Sequence, residues 1–340
     1  MSKIRRPLLR RPGFVWPVSI IAGLLIVTVV AFTVSPWPGA LIIRKVFTNG
    51  AEKVAGIMEP FAPDNVTSIL DVQYGTGDSF TTMDVFYPNG TTTAQGTVIW
   101  THGGAWISGN KLTDRTYFQL LASHGYTVVG LNYTYGPEAV YPTAVFQLNT
   151  AHQFILDHAA EYHVDSTRIV LAGDSAGAQL SSQMAAIITN PAYATEVGIT
   201  PALKPSELKG VVLNCGIYEM TSLIGSKGLL GWGDDISMWA YTGDRDLANS
   251  PALAQMSSIR YVTADFPPTY ISGGNADPLT EMESVPMAAT LTSLGVDVTT
   301  LFWPTDYTPP LPHEYQFRLN LDAAQTALTE TLAFLAKEIG

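Results

Sequence analysis

The feature that most constrains this chain is a strand that runs into a helix through a glycine-flanked serine. Residues 168–174 read RIVLAGD, an apolar run of strand length, and residues 176–189 carry helical periodicity. Between them stands Gly173-Asp174-Ser175-Ala176-Gly177. A serine so placed sits on a sharp, strained turn, and the glycine two positions to either side lets the backbone approach closely. The helix that follows aims its first N–H groups at the serine, where developing negative charge is stabilised. The flanking strand and helix carry the signal, because the bare five-residue pattern arises often by chance.

The rest of the chain supplies a sheet for this turn to stand on. VTSILDVQY and FTTMDVFYP, joined by GTGDS, are predicted to pair as a hairpin. GTVIWTH, TVVGLNYT, GVVLNCGIY, PTYISGG and VDVTTLFW read as further strands. Helical spacing covers about 117–124, 144–163 and 320–339. The expected fold class is α/β, with a mostly parallel central sheet covered by helices on both faces. Residues 218–266 lack strand periodicity and hold Trp232, Met238, Trp239 and Tyr241, the pattern of a cap-like insertion.

Charge divides the chain in two. The net charge is −11, with 46% hydrophobic and 14% charged residues, which excludes a disordered chain and a generic nucleic-acid binder. Lys3, Arg5, Arg6, Arg10 and Arg11 come first, and no further charge appears until Arg44. Residues 14–34 within that gap span roughly 30 Å as a helix, enough for a hydrocarbon core, with Trp16 and Trp37 at its edges. The basic flank leaves the N-terminus cytoplasmic. The predicted order is therefore a cytoplasmic tail (1–13), a transmembrane helix (14–34), a juxtamembrane connector (35–65) and an extracytoplasmic catalytic domain (66–340). The rival is a signal peptide cleaved near Ala31, which leaves a secreted protein; its apolar stretch should be shorter, about 7–15 residues. The connector reads equally as a linker or as a helix lying on the body or the bilayer, and a soluble active domain is expected from about Ala51. Three N-x-[ST] sequons, at Asn65, Asn89 and Asn132, matter only in a eukaryotic secretory pathway. The single cysteine, Cys215, excludes a disulfide framework and reads as a small apolar filler.

A nucleophilic serine needs a base, and the base needs an orienting acid. Of six histidines, His102 falls in the HGGAW loop after a buried strand and is read as structural. His124 is placed at a helix end as a C-cap, and His152, His158 and His163 at the surface. His313, in the loop PPLPHEYQF between the last strand and the last helix, is the candidate base. Asp277, after the strand PTYISGG, is the candidate acid, with Asp306 and Glu281 competing. Glu314 is read as a loop salt bridge or cap. The order Ser175, Asp277, His313 matches one known arrangement of this triad. Trp106 is a candidate substrate-binding wall, as are Trp232, Trp239 and Phe302.

Together HGGAW, GDSAG, GGNADPL and PHEYQF resemble the α/β-hydrolase fold-3 esterases, the hormone-sensitive-lipase-like group. The resemblance covers about 96–340. It implies a Ser175 nucleophile, a His313 base, an Asp277 acid and an oxyanion hole from the N–H groups of Gly103, Gly104 and Ala176. Ala105 departs from the third glycine of the usual loop, and NYTYGPEAVYPTA alters the segment after the fourth strand. The implied activity is hydrolysis of a small-molecule carboxylic ester through an acyl-serine, with no metal or organic cofactor. The alternatives are an amidase or formamidase on the same triad, or a non-catalytic binding protein on a hydrolase scaffold.

Overall fold

A computed structural model describes residues 12–340, with side chains from Ser19 onward. The basic residues at positions 3–11, Trp16 and the whole of the predicted tail lie outside these described side chains. Helix α1 (Pro12–Val34) leads into α2 (Trp37–Met58). The sheet follows as β1 (Val66–Gln73), β2 (Thr82–Pro88), β3 (Gln95–Thr101), β4 (Thr127–Leu131), β5 (Val164–Asp174), β6 (Leu208–Asn214), β7 (Thr269–Gly273) and β8 (Val298–Phe302). Between strands lie α3 (Arg115–Ser123), α4 (Thr143–Asp157), α5 (Ala176–Thr189), α6 (Pro191–Val197), α7 (Gly228–Thr242), α8 (Pro251–Met256) and α9 (Val285–Ser293), and α10 (Asp322–Ile339) closes the chain.

The strand order is β1-β2-β4-β3-β5-β6-β7-β8. The predicted hairpin forms, and β2 also pairs antiparallel with β4; the other neighbours run parallel. Alternation along the strands sends successive side chains to opposite faces. Ile99, Ile169, Leu171, Val211 and Leu213 join one core with α4, α5 and α9. Val98, Trp100, Val170, Ala172 and Val212 join the other with α3 and α10. Both faces are covered, which is why the parallel strands read as unbroken apolar runs.

Two features fix the loop after β3. Lys111 is buried between Asp84 and Asp71, 2.6 Å from each, and its N–H donates to Asn132 Oδ1. The second is α2, which packs on the body rather than linking to it. Met58 is fully buried in the core beneath α3, and Ala40 and Ile43 pack with Ile107 of the loop and with Ile236 and Ala240 of α7. Residues 218–266 fold as α7 and α8 with short 3₁₀ turns.

Among the described residues no single helix is long and apolar enough to cross a membrane. The described part of α1, Ser19–Val34, passes that test only jointly with Trp37–Phe61, to which it is bent by 83°.

Candidate active site

The serine turn owes its shape to two close approaches. A Cβ on Gly177 would meet the carbonyl oxygen of Thr101 in β3, and one on Gly173 would meet the backbone of Gly177. Only glycine lets α5 start this close to the sheet. The turn forces Ser175 to φ 51° and ψ −120°, and its N–H donates to Asn214 O at 2.8 Å. Ser175 is 7% exposed.

His313 and Asp277 meet this serine as the sequence predicts. His313 Nδ1 lies 2.7 Å from Asp277 Oδ2, and Nε2 lies 2.9 Å from Ser175 Oγ. A carboxylate only accepts, so Nδ1 carries the proton and Nε2 is left to accept from the serine hydroxyl. Asp277 is buried and takes the N–H of Leu279 on its other oxygen. The competing acids Asp306 and Glu281 are exposed. Burial works against an imidazolium at His313, but the adjoining Cys215 and the hydrogen-bonded Asp277 carboxylate together outweigh it and hold the ring above the usual imidazole range.

The oxyanion loop differs from the expectation in one donor. The Gly103 N–H donates to Asp174 Oδ2 at 2.8 Å, so it does not point at the serine. Asp174 Oδ1 takes Trp100 Nε1 at 2.8 Å, so this one carboxyl ties β3 and its loop to the elbow. Burial, then the Glu314 carboxylate, pushes Asp174 up to about 8. The next residues turn sharply: Gly104, Ala105 and Trp106 take φ of 108°, 52° and 58°. Among the described residues no acceptor engages the N–H of Gly104, Ala105 or Ala176. Alanine thus holds a left-handed position where the resembled loop carries glycine. Of the seven non-glycine residues with positive φ among those described, Ala105, Trp106, Ser175, Cys215 and Glu314 flank this site. Strain gathered in this way marks a functional centre.

Several expected roles change. Trp106 is 2% exposed, donates Nε1 to Gln179 Oε1 at 2.9 Å and stacks on Tyr241, so it braces the loop against α5 and α7 instead of presenting a substrate wall. Trp232 and Trp239 pack beside α2, and Phe302 ends β8 against the core. His152 is buried, not at the surface, and burial pushes it down to about 4. His102 is structural as read: it bonds the Gly103 carbonyl, stacks on Tyr133 and is pushed down to about 4 by burial. His124 caps α3. Glu314 keeps its expected place as a loop charge and cap: its Oε1 lies 3.8 Å from His313 Nε2, and it stands at the N-cap position of the 3₁₀ turn Tyr315–Phe317.

Two neighbours of the site are not predicted as such by the sequence. Cys215 Sγ, a ring nitrogen of His313 and a carboxylate oxygen of Asp277 lie within 4.8 Å of one another. Burial pushes the thiol up to about 11, so it stays protonated beside the base, and two members of this group already bond each other. Arg44 of α2 donates Nε to Ile107 O at 2.7 Å and a terminal nitrogen to Gly136 O at 2.9 Å, forks onto Glu138, and stands 4.5 Å over the Tyr135 ring. The signal was its isolation as the first charge after the apolar stretch.

The profile of the BD-FAE family matches residues 83–291, which includes the oxyanion loop and the serine turn. The chain belongs to the BD-FAE family. This BD-FAE member is 30% identical over 196 residues to the acetyl esterase of Salmonella paratyphi B, a match covering 55% of this chain and 57% of that protein. The chain thus spans little more than half the length of that relative. Solved structures share its fold. Esterase B from Lactobacillus rhamnosis superposes with TM-score 0.74 at 22% identity, covering 88% of this chain and 97% of that one. The hyperthermophilic esterase of Pyrobaculum calidifontis gives 0.68 at 20% identity over 92% and 96%, and a bacterial heroin esterase 0.67 at 19% over 87% and 91%. The α/β-hydrolase resemblance read from the four motifs is borne out in family and fold.

Proposed function

We propose that this BD-FAE member is a serine esterase that cleaves small carboxylic esters through an acyl-serine. The observation that carries the reading is the unbroken relay from Ser175 Oγ through His313 to Asp277, at 2.9 and 2.7 Å. Ser175 Oγ attacks the ester carbonyl as its proton passes to His313 Nε2. Asp277 holds the ring tautomer and stabilises the imidazolium. The carbonyl oxygen, now negative, takes the N–H groups of Gly104, Ala105 and Ala176. The tetrahedral species collapses, the C–O bond to the alcohol breaks, and the leaving oxygen takes the proton from Nε2. Water then enters, gives its proton to Nε2 and attacks the acyl carbon, releasing the acid and restoring Ser175. The acetyl esterase relative supports a short acyl group.

The test is turnover of a short activated ester by the purified full chain. Ser175→Ala and His313→Ala are each expected to lower kcat by about three orders of magnitude or more, with the fold intact by circular dichroism. Full activity in Ser175→Ala overturns the mechanism. A parallel panel of matched amides separates an esterase from an amidase.

The same reading includes membrane anchoring by α1, with the catalytic body outside the cytoplasm. Its support is the apolar surface α1 leaves uncovered, such as Leu24 at 62% and Val27 at 65% exposed. Protease added to intact cells is expected to release the body, and full protection overturns that orientation.

A further inference from the structure

Helix α2 has two faces with different partners. Its inner face carries Gly39, Ala40 and Ile43, which are buried against Ile107 and α7. Gly39 is the closest approach, with the Ile236 side chain lying directly over it. Its outer face carries Trp37, Leu41, Ile42 and Val46, each between 42% and 60% exposed, with Lys45 among them. At helical spacing these fall on one stripe. Four large apolar side chains in one stripe exceed the scattered exposure normal for a water-facing helix. Phe47 is also exposed, at 43%, and beyond it the exposed positions of α2 are polar or glycine, with Asn49, Glu52 and Lys53.

The bend at Ser35 and Pro36 says what covers this stripe. The described part of α1 and helix α2 meet at 83°. A helix crossing a bilayer along its normal therefore lays α2 almost in the plane of the surface. That is the posture of an interfacial amphipathic helix, whose apolar face sinks into the boundary between headgroups and acyl chains. A tryptophan at the bend and a lysine able to reach outward suit that depth. Helix α7, on which the inner face rests, begins with Leu229 and Leu230, which at 79% and 76% are the most exposed large apolar residues described.

We propose that the outer face of α2, with Leu229 and Leu230 of α7, is a second membrane contact that seats the catalytic body on a phospholipid bilayer. This rests on the anchoring reading above and goes beyond it, because α1 alone would let the body swing free. The inner face of α2 touches the loop of Ala105 and Ile107, so the oxyanion loop lies directly behind the seated helix. The site therefore takes esters of amphiphiles dissolved in the bilayer, presented from the membrane side, in preference to equally reactive esters in water.

The experiment uses the full chain in vesicles of phosphatidylcholine and phosphatidylglycerol at three to one. The variants are Leu41→Glu with Ile42→Glu and Val46→Glu, and separately Leu229→Glu with Leu230→Glu. Three readouts are taken: flotation with the vesicles, turnover of a short soluble ester, and turnover of a long-chain ester held in the vesicles. A fourth protein, Val46→Cys with a fluorophore attached, reports quenching by a lipid-borne quencher. The expected result is that all variants float and turn over the soluble ester within twofold of wild type. Turnover of the vesicle-held ester is expected to fall at least tenfold, and the Val46 label to be quenched. If wild type floats but the vesicle ester is cleaved equally by variants, or the label is unquenched, the seating proposal is overturned and the anchor stands. If wild type does not float, both fall. Should the glutamates disturb folding, seen as loss of soluble-ester turnover, the matching serine substitutions carry the same test.

Discussion

One nitrogen of His313 faces a carboxylate and the other a hydroxyl, and that division of labour sets the chemistry. Asp277→Asn keeps the shape but lets the ring take the wrong tautomer, so kcat is expected to fall by about 10⁴. Asp306→Asn, on the exposed loop, is expected to stay within about twofold of wild type; the reverse ranking would move the acid assignment. The same pair predicts the pH profile. His313 accepts a proton only when neutral, so kcat/KM rises as pH climbs through its pKa. Cys215 and Asp277 together hold that pKa above the free value of 6.5, so the midpoint of the acid limb is expected above 6.5 and should drop in Asp277→Asn, which removes the carboxylate's share. A wild-type midpoint at or below 6.5 contradicts the coupling. At the elbow, Gly177→Ala would push a methyl into the Thr101 carbonyl, which belongs to a central strand and cannot give way. A loss of about 2–4 kcal/mol is expected, measurable by urea unfolding. The triad was legible because each member ends a strand or stands in a loop with its own composition. Asp174 was not, because nothing in GDSAG says which N–H its carboxyl will take.

At the scale of elements, the unforeseen piece is α2. Its apolar positions promised a helix, but spacing alone cannot name the neighbour that buries them. The structure shows Arg44 reaching from α2 to the carbonyls of Ile107 and Gly136, three residues beyond Gly104 in the first case. Arg44 acts on the reaction only through this loop, so it is a positioning residue. Arg44→Ala is expected to lower kcat about tenfold with KM little changed, since a loop displaced by a fraction of an ångström misplaces oxyanion donors. Arg44→Lys restores a charge but not the fork, so it should rescue only in part. Equal losses in kcat and thermal stability, both recovered by stabilising solutes, would reduce Arg44 to a fold-holding role. The predicted strands all appear; the central ones do so because a strand buried on both faces writes itself as an apolar run, while the edge strands β1 and β8 stay partly exposed. Helix 144–163 was drawn too long: α4 ends at Asp157, where His158 bonds back to Phe154 and stacks on it. Helices α6 and α9 leave a weak sequence signal because both are short, and each buries only three positions.

For the whole molecule, the consequence is where the catalytic unit begins. The sequence reading placed a soluble active domain from about Ala51. In the structure Ala40, Ile43 and Arg44 belong to the body, and cutting at Ala51 would bare Ile107, Ile236 and Ala240. A chain starting at Trp37 is expected to fold and hydrolyse a soluble ester at near the full-length rate. One starting at Ala51 should lose most of that activity and melt lower; equal behaviour of the two would make α2 dispensable. The net charge also divides, since residues up to Ala40 hold five basic residues and no acid, leaving 13 basic against 29 acidic residues beyond. An acidic body gains little from anionic lipid, so its seating must rest on apolar contact. The sequence by itself determined the sheet, the serine turn and the order of the triad, because these depend on local patterning and on residue types at short spacing. Only the tertiary structure decided which acid faces His313, that Gly103 spends its N–H on Asp174, that Trp106 is a brace, and that α2 is part of the enzyme. Each of those is a contact between residues far apart in the chain, and side-chain type does not encode the partner across such a distance.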